Sequence, residues 1–218
     1  MNTKESIRSA YDNAAEDYAA AFWDELNKKH FDRIMLSWFA SQIPQGETVL
    51  EIGSGPGEVS GFLSKQGATC LGTDISEQMI ANARKYFPGI QFEVQDFLHL
   101  TCADNSFGGV VAYYAIVNLT LDEIRRAFEE VKRVLKEGRL FLFTFHIYEP
   151  DKEDRTEVKS FFKEGNELTF YYFKVDEIKA LVEAVGFEVI DTLIRYPYPG
   201  VEYPSKRSYF LVRKGSAS

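Results

Sequence analysis

Closely spaced glycines follow a short apolar segment at residues 48–52, which predicts a buried strand. These glycines are Gly53, Gly55 and Gly57, and a predicted helix at 58–66 follows them. Residues without a Cβ let the backbone approach a ligand, and a helix N-terminus offers free N–H groups. The run predicts a nucleotide-binding loop, although a tight strand-to-helix turn would need the same glycines. Glu58 stands where a dinucleotide fingerprint has its third glycine, and its carboxylate would repel pyrophosphate, which disfavours a nicotinamide or flavin cofactor.

Acidic residues end the next two predicted strands, at 68–73 and 90–94. Asp74 follows the first of these strands, and Asp96 follows the second with Phe97 beside it. Because the carboxyl ends of parallel strands meet at one edge of a sheet, both acids are expected to lie near the glycines. Asp74 could accept hydrogen bonds from a ribose, and Asp96 from an exocyclic amine while Phe97 covers a base. The simpler alternatives are a helix cap for Asp74 and a solvated turn for Asp96.

The elements that must position these residues alternate between strands and helices, which is typical of a parallel sheet with helices on both faces. The other predicted strands lie at 110–115, 140–145, 187–194 and 209–212, and the other predicted helices at 6–26, 28–43, 76–87, 121–135 and 176–185. Gly138 is expected to cap the helix at 121–135. The predicted fold class is α/β, with a doubly wound, mostly parallel seven-stranded sheet, N-terminal helices and an antiparallel C-terminal hairpin.

The predicted organisation is one main domain with small additions. Residues 1–45 are expected to form a helical cap, and residues 46–214 the main domain with an aromatic lid segment at 147–173. Residues 215–218 are interpreted as a tail or a cloning remnant.

Charge and hydropathy exclude several classes of function. The chain has 218 residues, with 25 Lys and Arg against 33 Asp and Glu, and a net charge of −8. This is the wrong sign for a surface that neutralises phosphates, so no nucleic-acid partner is expected. The longest charge-free stretch is too short and too polar for a membrane span, and residues 1–10 lack the apolar core of a secretion signal. A cytoplasmic location is therefore expected.

Residues 49–57 read VLEIGSGPG, residues 74–76 read DIS and residues 95–97 read QDF. Together with the segment 131–145, they resemble the first motif, the ribose-binding acid, the adenine-contacting position and the fifth-strand motif of the class I S-adenosylmethionine-dependent methyltransferases that act on small molecules. The resemblance covers about residues 11–214. It implies a Rossmann-like fold, S-adenosylmethionine as cofactor, and a methyltransferase domain at 46–214. The residues that it implies for cofactor binding are Glu51, Gly53, Ser54, Gly55, Gly57, Asp74, Ile75, Asp96, Phe97 and Tyr18.

The resemblance also implies in-line displacement at a methyl carbon, for which the protein aligns the acceptor, excludes water and takes up a proton where one is released. His146 follows the fifth predicted strand and is the expected general base, with a pKa suited to neutral pH, unless it only packs there. No metal is expected, because His30, His99 and His146 lack a ligand spacing.

The residues expected to contact the acceptor are Tyr11, Tyr198 and Arg207. Tyr11 and Tyr18 could instead only pack their helix, and Arg207 could form a surface ion pair with Glu202. The expected function is methyl transfer to an oxygen or nitrogen atom of a small molecule, by a monomer or a homodimer. The alternatives are a tRNA or protein methyltransferase, which the acidic charge balance disfavours, and a cofactor-binding protein without turnover.

Overall fold

The computed structural model describes residues 2–215. The strands are β1 (Thr48–Ile52), β2 (Thr69–Asp74), β3 (Gln91–Val94), β4 (Phe107–Tyr113), β5 (Leu135–His146), β6 (Arg155–Val158), β7 (Leu168–Tyr171), β8 (Phe187–Arg195) and β9 (Arg207–Lys214). The helices are α1 (Lys4–Phe22), α2 (Glu25–Lys28), α3 (His30–Ser41), α4 (Glu58–Lys65), α5 (Glu77–Tyr86), α6 (Leu121–Val134) and α7 (Val175–Val185).

The main sheet has seven strands in the order β3-β2-β1-β4-β5-β9-β8. The first five strands in this order run parallel to their neighbours. Strand β9 lies between β5 and β8 and is antiparallel to both. The predicted fold class, including the C-terminal hairpin, is therefore confirmed. The carboxyl ends of β1, β2 and β3 lie side by side, because Ile52 pairs with Thr73 and Asp74 pairs with Val94.

Alternating side chains of β5 divide the core between the two faces of the sheet. Phe141 and Phe143 face the buried side of α6, where their rings lie 5.3 and 4.7 Å from the ring of Phe128. Leu142 packs on the opposite face, with Leu36 of α3 and other apolar residues of α3 and α4. This is the period-two pattern of a strand that is buried on both faces.

Gly138 does not cap a helix, so that prediction is wrong. Helix α6 ends at Val134, and Leu135 already has extended backbone angles of −73° and 134°. Leu135 is fully buried and pairs with Phe107 in the sheet. Because Leu135 is buried as the first residue of β5, the chain passes from helix to strand without a connecting loop. Gly138, with φ +72°, lies inside β5.

The N-terminal region forms three helices rather than the two that the sequence predicts. Helix α1 ends at Phe22, where the ring of Trp23 packs 4.6 Å from Tyr86 and 5.6 Å from Phe87. These contacts turn the chain at the end of α5. The buried residues of α1 are all alanines, and their small side chains let α1 approach α5 and β7 closely.

The predicted lid segment, 147–173, contains β6 and β7, which pair antiparallel and form a separate two-stranded sheet. The predicted tail begins at Gly215, which is exposed, and residues 216–218 lie outside the described residues. No helix between residues 2 and 215 combines the length and apolar character that a membrane crossing requires.

Candidate functional site

The glycine loop turns sharply between β1 and α4, and its glycines adopt backbone angles that other residues rarely adopt. Gly53 has φ +63°, and a Cβ there would lie 2.6 Å from the Cβ of Ala115 at the end of β4. Gly57 has φ +93° and directly precedes α4. Both positions therefore require glycine, one for close approach and one for the left-handed turn.

Asp74 connects the glycine loop to the start of α5. Its Oδ2 accepts a hydrogen bond from the backbone N–H of Gly55 at 2.9 Å, and its Oδ1 accepts one from that of Ser76 at 2.9 Å. Burial raises the pKa of Asp74, against the effect of these hydrogen bonds. The cap of α5 is Ser76, whose hydroxyl accepts from the N–H of Met79, so Asp74 is not the cap of this helix. Its carboxylate orders two loops and keeps further acceptor capacity.

The other predicted residues of this edge are adjacent to Asp74. Asp96 follows β3, and its carboxylate accepts from the N–H of Leu98 at 2.9 Å and pairs with Lys4 Nζ at 2.8 Å. Ile75 and Phe97 are half-buried. A Cβ at Gly53 would lie 4.0 Å from the ring of Phe97. The structure therefore brings the ends of β1, β2 and β3 together, as the sequence predicts.

Helix α1 covers this edge through two polar side chains, Asp12 and Lys4, which sequence reasoning missed. Asp12 Oδ1 accepts from Ser76 Oγ at 2.6 Å and from the N–H of Gln78 at 3.1 Å. Lys4, on the same helix, makes the ion pair with Asp96. The only sequence signal is that both polar residues lie in an alanine-rich helical segment. They mark the side of α1 that faces the sheet edge.

Glu51 is a buried acid beneath the glycine loop. Its Oε2 accepts from the N–H of Ser60 at 2.8 Å and also from the Ser60 hydroxyl. Burial raises the pKa of Glu51 to about 8, against the hydrogen bond from Ser60. Glu51 is therefore a neutral acid at pH 7, which connects β1 to α4.

A narrow cleft of about 80 Å³, here called the loop cleft, opens over the glycine loop. Five of the predicted cofactor residues line it, namely Tyr18, Glu51, Gly53, Ser54 and Gly55. The Ser54 hydroxyl is buried and has no hydrogen-bond partner within residues 2–215. Glu58 also lines the cleft. Burial raises the pKa of Glu58 to about 7.

A second space of about 300 Å³, here called the aromatic cavity, lies beside the loop cleft. Its aromatic lining consists of Tyr11, Tyr18, Phe22, Tyr114, His146, Phe161, Phe170, Tyr172 and Tyr203. The loop cleft and the aromatic cavity adjoin each other, because five residues line both spaces. The place where the two spaces adjoin is here called the passage, and its residues are Tyr18, Phe22, Glu25, Lys29 and Tyr114. The volume of the aromatic cavity is at the lower end of the range for small-molecule sites.

Tyr114 is a passage residue that sequence reasoning missed. It has φ +57°, a strained angle for a tyrosine. Its ring stacks on that of His146 at 5.1 Å, and Lys29 Nζ lies 5.2 Å from its centre. Strain of this kind is common at functional sites, but no motif in the sequence marks it.

His146 lies at the wall of the aromatic cavity with a fixed ring. Its Nδ1 is 2.7 Å from the hydroxyl of Ser205. Burial, and then the charges of Arg207 and Lys29, lower the pKa of His146 to about 3. The predicted pKa near neutrality is therefore wrong, because the imidazolium would be buried and would lie near Arg207, its direct partner on the neighbouring strand. His146 is uncharged at neutral pH.

Arg207 and Glu202 form a buried ion pair, so the predicted surface pair is wrong. Arg207 Nε lies 3.0 Å from Glu202, and both side chains are at most 2% exposed. Lys29 joins the same carboxylate at 3.2 Å, and Arg195 also pairs with it. Arg195 in turn lies 3.2 Å from Asp32 of α3. This ion network connects the N-terminal helices to the loop between β8 and β9, and its members Lys29, Glu202 and Arg207 line the aromatic cavity.

The predicted acceptor residues divide into two groups. Tyr11 and Arg207 line the aromatic cavity. The Tyr11 hydroxyl donates to Asn118 Oδ1 at 2.8 Å. Tyr198 is not among the residues that line this cavity. Its hydroxyl accepts from the N–H of Phe31 at 3.2 Å, so the structure places it against α3 rather than beside Tyr11.

These residues fit S-adenosylmethionine. A ribose needs acceptors such as the carboxylate of Asp74, and a ligand with cationic groups suits a cleft lined by the partly buried carboxyl group of Glu58. The unpartnered hydroxyl of Ser54 adds a polar group at the same cleft.

Comparison with known proteins agrees with this fit. Residues 49–138 match the family model of a methyltransferase domain. The demethylmenaquinone methyltransferase of Chlorobaculum parvum is 30% identical to this chain over 143 residues, which are 62% of this chain and 58% of that protein. The malonyl-[acyl-carrier protein] O-methyltransferase of Geobacter sulfurreducens is 28% identical over 203 residues, covering 88% and 73%. The similarity to methyltransferases therefore covers the glycine loop, Asp74 and the strands up to Gly138.

A solved structure shares this fold. The structure of the DhpI–SAH complex matches with a TM-score of 0.74 at 21% identity, over 98% of each chain. The chain spans a little over half the length of the curated relatives that are 30% identical to it, at 53% and 58%.

We expect Asp74→Ala to weaken the binding of S-adenosylhomocysteine to this protein by about 100-fold, because two backbone donors and the ligand lose a charged acceptor. Titration calorimetry measures the loss. Asp122→Ala, at an exposed position in the first turn of α6, is the control and should bind normally. Near-native affinity of Asp74→Ala would show that the cofactor site lies elsewhere.

We expect the free energy of unfolding to fall as pH rises from about 5 to 8. The pKa of Glu51 is raised from 4.5 to about 8 in the folded chain, so the unfolded chain loses its proton first, and folding is progressively disfavoured over this interval. The slope for such a group is up to about 1.4 kcal/mol per pH unit. Urea unfolding of the protein and of Glu51→Gln measures the effect. The variant should show a flatter profile, and identical profiles would contradict a neutral Glu51.

Proposed function

We propose that the protein transfers a methyl group from S-adenosylmethionine to an oxygen or nitrogen atom of a small molecule. The observation that carries this proposal is the passage between the loop cleft and the aromatic cavity, formed by Tyr18, Phe22, Glu25, Lys29 and Tyr114. A two-substrate transfer needs adjoining sites for donor and acceptor, with the reacting groups held in line. A protein that only binds the cofactor has no need of the second cavity.

The cofactor, when bound, supplies a methyl group on a positively charged sulfur. The chain supplies alignment and exclusion of water. The aromatic rings of α1 and of the lid segment close over the aromatic cavity, where Tyr11 lies 5.3 Å from Phe161 and Tyr18 lies 5.7 Å from Phe162. A methyl acceptor held between these rings displaces water from the side of the cavity that faces the methyl group.

The lining favours an uncharged acceptor with aromatic or other apolar surface. The charged residues of the aromatic cavity are Glu25, Lys29, Glu202 and Arg207, and they pair with one another. No surplus charge of this set is left for a charged acceptor. The aromatic rings offer apolar contact and edge-to-face packing instead.

The size of the site favours a small molecule over tRNA or a folded protein. The aromatic cavity has a volume of about 300 Å³ and lies between α1, the lid segment and the β8–β9 loop. The names of the two relatives indicate different acceptors, demethylmenaquinone in one case and a carrier-bound malonyl group in the other. We therefore propose a small organic acceptor of the apolar or aromatic kind. A cytoplasmic location stays a prediction.

The proposal is tested first by thermal unfolding with S-adenosylmethionine, S-adenosylhomocysteine or NAD at equal concentration. A ligand at about 100 times its dissociation constant adds roughly 2.7 kcal/mol. This corresponds to a rise of about 5–10 °C in the midpoint for a chain of this size. We expect the rise with the first two ligands and not with NAD. Turnover is then measured with a panel of phenols and amines, and cofactor binding without any transfer would favour the protein without turnover.

We expect His146→Ala to lower turnover by about 10- to 100-fold with cofactor affinity unchanged. The low pKa of His146 makes it a poor proton acceptor at pH 7, and we propose that its ring positions the acceptor through Nε2. His146→Gln, which keeps a hydrogen-bonding group, should retain most of the activity. Unchanged turnover in His146→Ala, or equal loss in both variants, would contradict this role.

A further inference from the structure

The loop cleft is lined by four carboxyl groups, of which three have partners in the protein. The partnered acids are Asp32 with Arg195 and Tyr209, Glu51 with Ser60, and Glu25 with Lys29. Lys29 is the one cationic side chain of the described residues that lines this cleft, and Glu25 and Glu202 already pair with it.

Glu58 is the fourth acid and differs from the other three. Within residues 2–215, no hydrogen bond or ion pair from another residue reaches its carboxylate. It is the first residue of α4, directly after Gly57. Burial, and then the nearby charge of Glu25, raise the pKa of Glu58 to about 7, while Lys29 lowers it. A partly buried carboxyl group without a partner is unfavourable in a protein that binds nothing there.

The position of Glu58 along the loop cleft indicates which part of the ligand it faces. Asp74 holds the N–H of Gly55 at the ribose side of the loop. A methyl group available for transfer must face the passage, because the aromatic cavity lies on its other side. Glu58 lines the loop cleft but not the aromatic cavity, so it lies on the cofactor side of the passage. The cations of the cofactor are the sulfonium and the α-ammonium group. The sulfonium carries the methyl group that must face the passage, which leaves the α-ammonium group for Glu58.

We propose that the carboxylate of Glu58 binds the α-ammonium group of S-adenosylmethionine and of S-adenosylhomocysteine. The inference rests on the proposed function, since it concerns the same cofactor site. The ammonium group supplies the counter-charge that the protein does not. The titratable groups that face Glu58 from neighbouring elements are Tyr18 of α1, Glu25 of α2, Lys29 before α3 and Glu51 of β1. Lys29 is shared by two other acids, so it does not neutralise Glu58.

Cofactor binding is then coupled to release of the proton from the carboxyl group of Glu58. Ionised Glu58 is required for the ion pair, so the protonated fraction of the free protein must release its proton on binding. Affinity rises with pH between about 6 and 8, and the rise ends once Glu58 is ionised in the free protein. S-adenosylhomocysteine is the better probe, because it keeps the ammonium group but lacks the sulfonium charge and is not consumed.

The experiment compares S-adenosylhomocysteine with 5′-methylthioadenosine, which has the nucleoside thioether but no amino-acid end. Both are titrated calorimetrically into the wild-type protein, Glu58→Gln and Glu77→Gln at pH 8. Glu77 is a matched control, because it is the first residue of α5 and is exposed. We expect Glu58→Gln to bind S-adenosylhomocysteine about 10- to 30-fold more weakly and 5′-methylthioadenosine within about twofold of wild type. Glu77→Gln should bind both normally.

The same titrations at pH 6 give a second readout. Wild-type affinity for S-adenosylhomocysteine should be about tenfold lower than at pH 8, and that of Glu58→Gln should be nearly the same at both values. Unfolding of Glu58→Gln without ligand checks its folding, and its midpoint should be at least that of wild type. Unchanged binding of S-adenosylhomocysteine, equal loss for both ligands, or a lower midpoint would overturn the inference. If the wild-type protein binds neither ligand, the proposed function fails as well.

Discussion

The two hydrogen bonds accepted by the carboxylate of Asp74 are the interaction on which the rest of the site depends. They hold the N–H groups of Gly55 and Ser76, which belong to different loops, at a common distance of 2.9 Å. The parallel pairing of β1 with β2 makes this possible, because it places Ile52 against Thr73 at the ends of both strands. Ser76 then caps α5 and also donates to Asp12 of α1. The position of the helix that covers the site thus follows from the sheet edge.

The buried ion network positions the N-terminal helices against the loop between β8 and β9, next to the aromatic cavity. Glu202, in the loop between β8 and β9, is surrounded by Lys29, Arg195 and Arg207. Arg195 continues the network to Asp32 of α3. Removing one member would leave buried charge without a partner, which is strongly destabilising. The network therefore fixes the position of the N-terminal helices relative to the hairpin of β8 and β9. The passage between the two spaces depends on that position, because Lys29 belongs to both the network and the passage.

Features that depend on local sequence could be predicted, and features that depend on distant contacts could not. The glycine loop and Asp74 are recognisable because strand, loop and helix follow one another in the chain. The insertion of β9 between β5 and β8, and the contact of Asp12 with Ser76, join residues far apart in sequence. His146 was expected to titrate near neutrality because nothing nearby in the sequence shows that it is buried or that Arg207 pairs with it on the adjacent strand β9. Tyr198 was misplaced for the same reason, since its partner Phe31 belongs to α3.

Helix α1 contacts both the cofactor edge of the sheet and the lid segment that borders the aromatic cavity. One of its faces contacts the cofactor edge through Asp12 and Lys4, and another contacts the lid segment, where Asn166 donates to the carbonyl oxygen of Ala10 at 2.9 Å. A displacement of α1 that opens the cofactor edge must therefore also disturb the wall of the aromatic cavity. Because the same helix borders both spaces, an acceptor would be enclosed only once the cofactor edge is also covered. The contacts of this one helix thus couple exposure of the cofactor edge to exposure of the aromatic cavity.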